Sequence, residues 1–142
     1  MIILIKSDFG DIPSVILNNS NIHQYINPKD FLNNTYHNID KIYEDMFEDE
    51  QLASLMVDIV NEQNFTKPLV FSITEAINTS PKYDITFIDS ILLTSNDIDF
   101  LKSIYDDVLE VTYKEQFIYF KMLDIEHKME ATDFLKLLKD DI

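Results

Sequence analysis

The sequence predicts an α+β fold: a single compact domain over residues 1–142, with a mixed or antiparallel sheet of about four to five strands packed with about four to five helices. Three observations carry this expectation. Residues 1–6 are an unbroken aliphatic run ending in Lys6. Residues 109–114 and 117–123 are two β-rich runs joined by Glu115-Gln116, the pattern of a hairpin. Between them, apolar residues recur at helical spacing in segments placed too irregularly for a repeating βα design.

In chain order, residues 1–6 read as a strand buried on both faces, hence central in its sheet, because their apolar residues do not alternate with polar ones. Ser7, Asp8, Phe9, Gly10 and Asp11 form a turn closed by Pro13. Val15-Ile16-Leu17 reads as a second short strand before the polar loop at residues 18–21. Residues 22–26 are ambiguous. Asn27-Pro28 is a helix start, with an asparagine cap and proline at the first helical position. Leu32, Tyr36, Ile39, Tyr43 and Met46 then share one helical face.

The longest helical pattern spans residues 38–63 and holds eight carboxylates against one lysine. Its two halves do not share a face. At about 100° per residue, the apolar residues up to Phe47 and those from Leu52 onward point roughly 150° apart. A break between Phe47 and Leu52, with Asp49 capping a second helix, resolves the conflict.

Residues 66–77 admit two readings, a strand over 69–73 or a helix capped by Thr66-Lys67-Pro68 and running to Ile77. Asn78, Thr79, Ser80 and Pro81 read as a loop. Tyr83, Ile85 and Phe87 alternate with Asp84 and Thr86, as in a half-buried strand. Ser95-Asn96-Asp97 caps a helix whose apolar face is Ile98, Leu101, Ile104, Tyr105 and Val108. In the hairpin, Glu-Gln is not a favoured two-residue turn, so a longer loop is expected. Both faces of its second run are apolar, which places that strand inside the sheet. A helix over about residues 129–140 closes the pattern, burying Phe134, Leu137 and Leu138.

The 46% apolar content is ample for a core, so the chain folds despite a net charge of −15. There is no cysteine, which excludes disulfides and thiolate metal sites. All 11 basic residues are lysine, there is one glycine, and isoleucine and asparagine are abundant. This suggests an AT-rich, bacterial or phage coding sequence. No apolar run approaches the roughly 18–20 residues of a membrane span, and no signal peptide is visible at the start, so a cytoplasmic protein with no membrane partner is expected.

Catalytic signatures are lacking. One glycine cannot build a phosphate-binding glycine loop. His23, His37 and His127 show no metal-ligand spacing. Asn96-Asp97-Ile98-Asp99 opens like a calcium loop, but the required glycine and acidic positions hold Lys102 and Val108. The expectation is no catalysis, no cofactor and no metal. Direct nucleic-acid binding is disfavoured because the charge repels phosphates.

What remains is the acidity itself. Asp40, Glu44, Asp45 and Glu48 cluster on one helix face, where like charges at i, i+4 destabilise by about 0.2–0.5 kcal/mol per pair. A second cluster holds Asp97, Asp99, Asp106, Asp107 and Glu110, with Lys102 set to pair with Asp106 one turn on. These nine residues are the expected partner-binding set. The expected partner is a basic protein, a toxin or nucleic-acid-processing enzyme, and the expected role is that of an immunity protein or antitoxin covering a nuclease-type toxin's positive cleft. The alternative is a phage-encoded DNA mimic or anti-defence protein, directed at a restriction or CRISPR component.

Overall fold

The computed structural model describes residues 1–7, 10–31, 66–79 and 82–140. Elements are numbered in order among these. They are β1 (Ile2–Ser7), α1 (Ser14–Leu17), β2 (His23–Ile26), a 3-10 turn (Pro28–Phe31), α2 (Thr66–Thr79), β3 (Ile85–Asp89), α3 (Ser95–Ile104), β4 (Val108–Lys114), β5 (Phe117–Met122), β6 (Ile125–Glu130) and α4 (Ala131–Asp140). The helical stretch at residues 38–63, its break, and the helix face running from Leu32 to Met46 lie outside the described residues.

The strands form one mixed sheet in the order β2-β3-β1-β4-β5-β6. The expected α+β class holds, with six strands in place of four to five. The first four strands are mutually parallel, and β5 and β6 continue antiparallel. Strand β1 is central, as its unbroken aliphatic run predicts. It pairs with β3 on one side and β4 on the other. Its side chains alternate between two cores. Ile3 and Ile5 join Ile16, Ile85, Phe87, Val111, Ile118, Phe120, Phe134 and Leu138 under α1 and α4. Ile2 and Leu4 join Ile26, Val70, Ile73, Ile88 and Leu101 under α2 and α3. Helices on both faces explain why β1 and β3 are buried on both of their faces.

Several expectations are corrected. Val15-Ile16-Leu17 is a single helical turn in α1, and only Ile16 in it is buried. The ambiguous segment at 22–26 forms the edge strand β2. At Asn27-Pro28 a 3-10 turn begins, and the Asn27 side chain accepts a bond from the Lys29 amide. Of the two readings for residues 66–77, the helix is correct. It continues through Asn78 and Thr79, residues expected to lie in a loop. Its Val70, Ile73 and Ile77 fall at helical spacing against the sheet.

Strand β3 is buried on both faces, not half-buried. Its polar residues are satisfied internally: Gln24 Nε2 donates to Thr86 Oγ1 at 3.1 Å, and Tyr25 Oη donates to Asp89 Oδ2 at 3.1 Å. The β4–β5 connection is a true two-residue turn, closed by the pair Lys114–Phe117. Glu115 and Gln116 accept φ values of 53° and 71° there, conformations that asparagine and glycine adopt more readily. A second two-residue turn, Leu123-Asp124, leads into β6, a strand the sequence reading missed. The last helix therefore starts at Ala131 and not near Met129. It buries Phe134, Leu135 and Leu138, with Leu137 only partly covered. The single glycine, Gly10, sits at φ 75° in the turn after β1. No helix among the described residues is long and apolar enough to cross a membrane.

Candidate protein-binding surface

The second acidic cluster lies where α3 leads into β4. Helix α3 starts with a reciprocal cap. Thr94 is its N-cap, one residue before the expected Ser95-Asn96-Asp97 start. Asp97 Oδ2 accepts from the Thr94 amide at 2.8 Å and from the Thr94 hydroxyl at 2.9 Å. The Asp97 amide in turn donates to Thr94 Oγ1 at 3.3 Å. Asp97 is only 4% exposed, so this member of the expected binding set faces inward and holds the helix start together. Of the stretch 96–99 that opens like a calcium loop, Asp97 is thus committed to the helix cap.

The other four members, Asp99, Asp106, Asp107 and Glu110, are exposed. Asp99 sits in the second turn of α3. The helix ends at Tyr105, whose extended backbone directs its amide to the Leu101 carbonyl at 3.0 Å. Asp106 therefore does not lie one helical turn beyond Lys102. The lysine instead bridges to Glu110 on β4, Nζ to Oε2 at 2.8 Å, with both side chains about half exposed. Such a pair contributes about 0.2–1 kcal/mol. Among the described residues, the side chains of Asp99, Asp106 and Asp107 have no cationic partner. Asp106 and Asp107 follow directly after the C-terminus of α3, where the helix dipole is itself negative. Their position costs stability locally, and a cationic partner would relieve that cost. The remaining expected residues, Asp40, Glu44, Asp45 and Glu48, lie outside the described residues.

The carboxyl ends of the parallel strands, where ligands bind in many open sheets, hold the pair Tyr25–Asp89. Burial, followed by the charge and hydrogen bond of Asp89, holds the Tyr25 hydroxyl well above its ordinary range, so it stays a neutral donor. Asp89 also accepts from the Ile91 amide at 3.1 Å. Both its oxygens are thus engaged in bracing β2, β3 and the loop after β3.

His23 is buried beside Phe87, ring centroids 5.6 Å apart, edge to face. Its Nε2–H donates to the Ile16 carbonyl at 3.3 Å, and its Nδ1 accepts from the Ser20 hydroxyl at 2.8 Å. Burial lowers its pKa. His127 stacks on Phe120 at 5.0 Å, and His37 lies outside the described residues. Among the described residues no group of three or more potential metal ligands comes together.

Two surface features escaped the sequence reading. The β5–β6 turn exposes Met122, Leu123 and Ile125, with Leu123 at 90%. Lys128 of β6 lies 4.4 Å above the Phe117 ring and 5.7 Å from that of Tyr119. The alternation of Ile125, His127 and Met129 with charged residues is the signal that could have revealed β6. No known protein-family model, curated protein or solved structure matches this chain.

Proposed function

We propose that this protein is an acidic inhibitor that binds a basic protein partner, as an immunity protein or antitoxin does when it covers the positive cleft of a nuclease-type toxin. The observation that carries the reading is the corner between α3 and β4. There, exposed Asp106 and Asp107 follow the negative end of a helix, in the segment that leads from Lys102 to its ion-pair partner Glu110. The surrounding chain has a net charge of −15, which steers a cationic surface toward it over about a Debye length. Carboxylates gathered at one corner fit a cleft better than the evenly spaced phosphates of a duplex, which supports an inhibitor over a DNA mimic. Asp99 extends the surface along α3, and Asp97 supports it from within.

The test is to co-express the protein with the product of its neighbouring gene and assay nuclease activity of that product with and without this chain. Inhibition at equal stoichiometry is expected, with an association rate that falls several-fold between low and high salt. Charge reversal by Asp106→Lys with Asp107→Lys should slow association while keeping or modestly raising the melting temperature, since lysine suits the negative end of the helix. Association indifferent to both salt and charge reversal would refute the reading. So would a hydrolase activity of this chain abolished by one carboxylate substitution.

A further inference from the structure

Strand β6 is the edge of the sheet, and its outer side is unpaired among the described residues. The two-residue turn at Leu123-Asp124 fixes which backbone groups face outward. Met122 and Ile125 close that turn as a hydrogen-bonded pair, so Ile125, His127 and Met129 direct their amides and carbonyls toward β5. Glu126, Lys128 and Glu130 direct theirs away from the sheet. An antiparallel partner strand must therefore pair with the even-numbered residues.

We propose that β6 pairs with β6 of a second copy of this chain, antiparallel and centred on His127, to form a two-fold dimer with a continuous twelve-stranded sheet. One register satisfies both the backbone and the side chains. Opposing His127 to itself makes Glu126–Lys128 the hydrogen-bonded pair, twice, and these are the residues whose backbone groups face outward. On one face, each Glu126 carboxylate meets the Lys128 ammonium of the other copy. That lysine is already held over Phe117 and Tyr119, so its ordering cost is largely met within the monomer. On the opposite face Ile125, 61% exposed in the monomer, meets Met129 of the second copy. The same register sets Leu123 level with the start of the second copy's α4. Centring on Lys128 instead would oppose Lys128 to itself once and Glu126 to Glu130 twice, three like-charge pairs in line. Of the two backbone-compatible registers that pair five residues of β6, the charge pattern favours the one centred on His127, at the cost of setting Asp124 of the turn opposite Glu130, and it has the isologous symmetry of a two-fold dimer. The interface is short, so the dimer is weak and forms at high protein concentration, at ionic strength sufficient to screen the −15 charge of each copy.

Charge-swap variants test the register, read by sedimentation velocity on the purified full chain at physiological ionic strength. Glu126→Lys and Lys128→Glu should each weaken self-association by about tenfold or more, since two attractive cross-strand pairs become repulsive. Mixing the two variants should restore a heterodimer, and the double variant should restore the homodimer. The chain has no cysteine, so His127→Cys supplies a second readout. Facing its own copy in a non-hydrogen-bonded pair, with Cα atoms about 4.5 Å apart, it should form a disulfide-linked dimer on mild oxidation. Lys82→Cys, away from β6, should not. A wild-type chain that stays monomeric at high concentration, a mixture that fails to associate, or equal crosslinking by both cysteine variants would overturn the proposal.

Discussion

Replacing Asp97 with alanine separates the two roles the acidic cluster combines. Its carboxylate accepts two bonds from Thr94, at 2.8 and 2.9 Å, in a site only 4% exposed. Loss of an N-terminal cap costs about 1 kcal/mol, and losing a hydrogen bond to a charged acceptor costs about 1.5–3 kcal/mol. The two overlap because they share the same bonds, so about 2 kcal/mol is expected. A chain of this size has an unfolding entropy of about 0.3 kcal/mol/K, so the melting temperature should fall by roughly 7 °C. Differential scanning calorimetry measures this directly. Asp97→Asn retains an acceptor and should lose about half as much. The partner's association rate should change little in either variant, in contrast to the Asp106 and Asp107 reversals. A melting temperature within 1–2 °C of wild type for Asp97→Ala would show that the capping argument is mistaken.

Three further outcomes follow from the same structure. Glu115→Asn with Gln116→Gly relieves two positive-φ residues, at 53° and 71°, and should raise stability by about 1 kcal/mol after the entropy cost of glycine, seen as a higher urea midpoint. Tyr105→Phe removes a buried hydroxyl with no hydrogen-bond partner among the described residues, so the variant should be as stable as wild type or more stable by about 1 kcal/mol in chemical denaturation. His23 has its pKa lowered by burial, so in the window just below its unfolded value of about 6.5 the unfolded chain binds more protons and stability falls as pH falls. His23→Gln should be less stable at pH 7 and should lose less stability than wild type between pH 6.5 and 5, as urea titrations at each pH would reveal.

How much of this could be read from residues alone depended on whether one signal acted without rivals. The aliphatic run of β1 has only one comfortable location, between two strands and under two helical layers, and its central position was legible. The hairpin of β4 and β5 was legible from its two β-rich runs. Its turn was not, because sheet pairing overrides the local preference of Glu115 and Gln116. Residues 66–79 are rich in Thr, Val, Ile and Phe, whose β propensity competes with the helical spacing of Val70, Ile73 and Ile77. Burial of that spacing against the sheet decided for the helix. Alternation at β3 suggested one wet face, since nothing local announces that Gln24 and Tyr25, some sixty residues earlier, satisfy Thr86 and Asp89. Among the candidate site residues, the capping role of Asp97 was within reach, because Thr94 and Asp97 have the spacing of a capping box. The partner of Lys102 was not, because it depends on where α3 stops and how β4 passes beneath it.

The central place of β1 has a consequence for how the chain reaches its native state. Ile2 is matched with Thr86 and Val108, roughly eighty and roughly a hundred residues further along. No local contact can stand in for these pairings, so β1 must wait for most of the chain before it docks. Contact order this high slows folding relative to a helical protein of the same length. During that wait, the run Ile2-Ile3-Leu4-Ile5 is an uncharged, β-prone segment suited to pairing with other chains. The strong negative charge carried elsewhere keeps unfinished copies apart during that interval, so the acidity that would attract a basic partner also guards the slowest step in assembling the sheet.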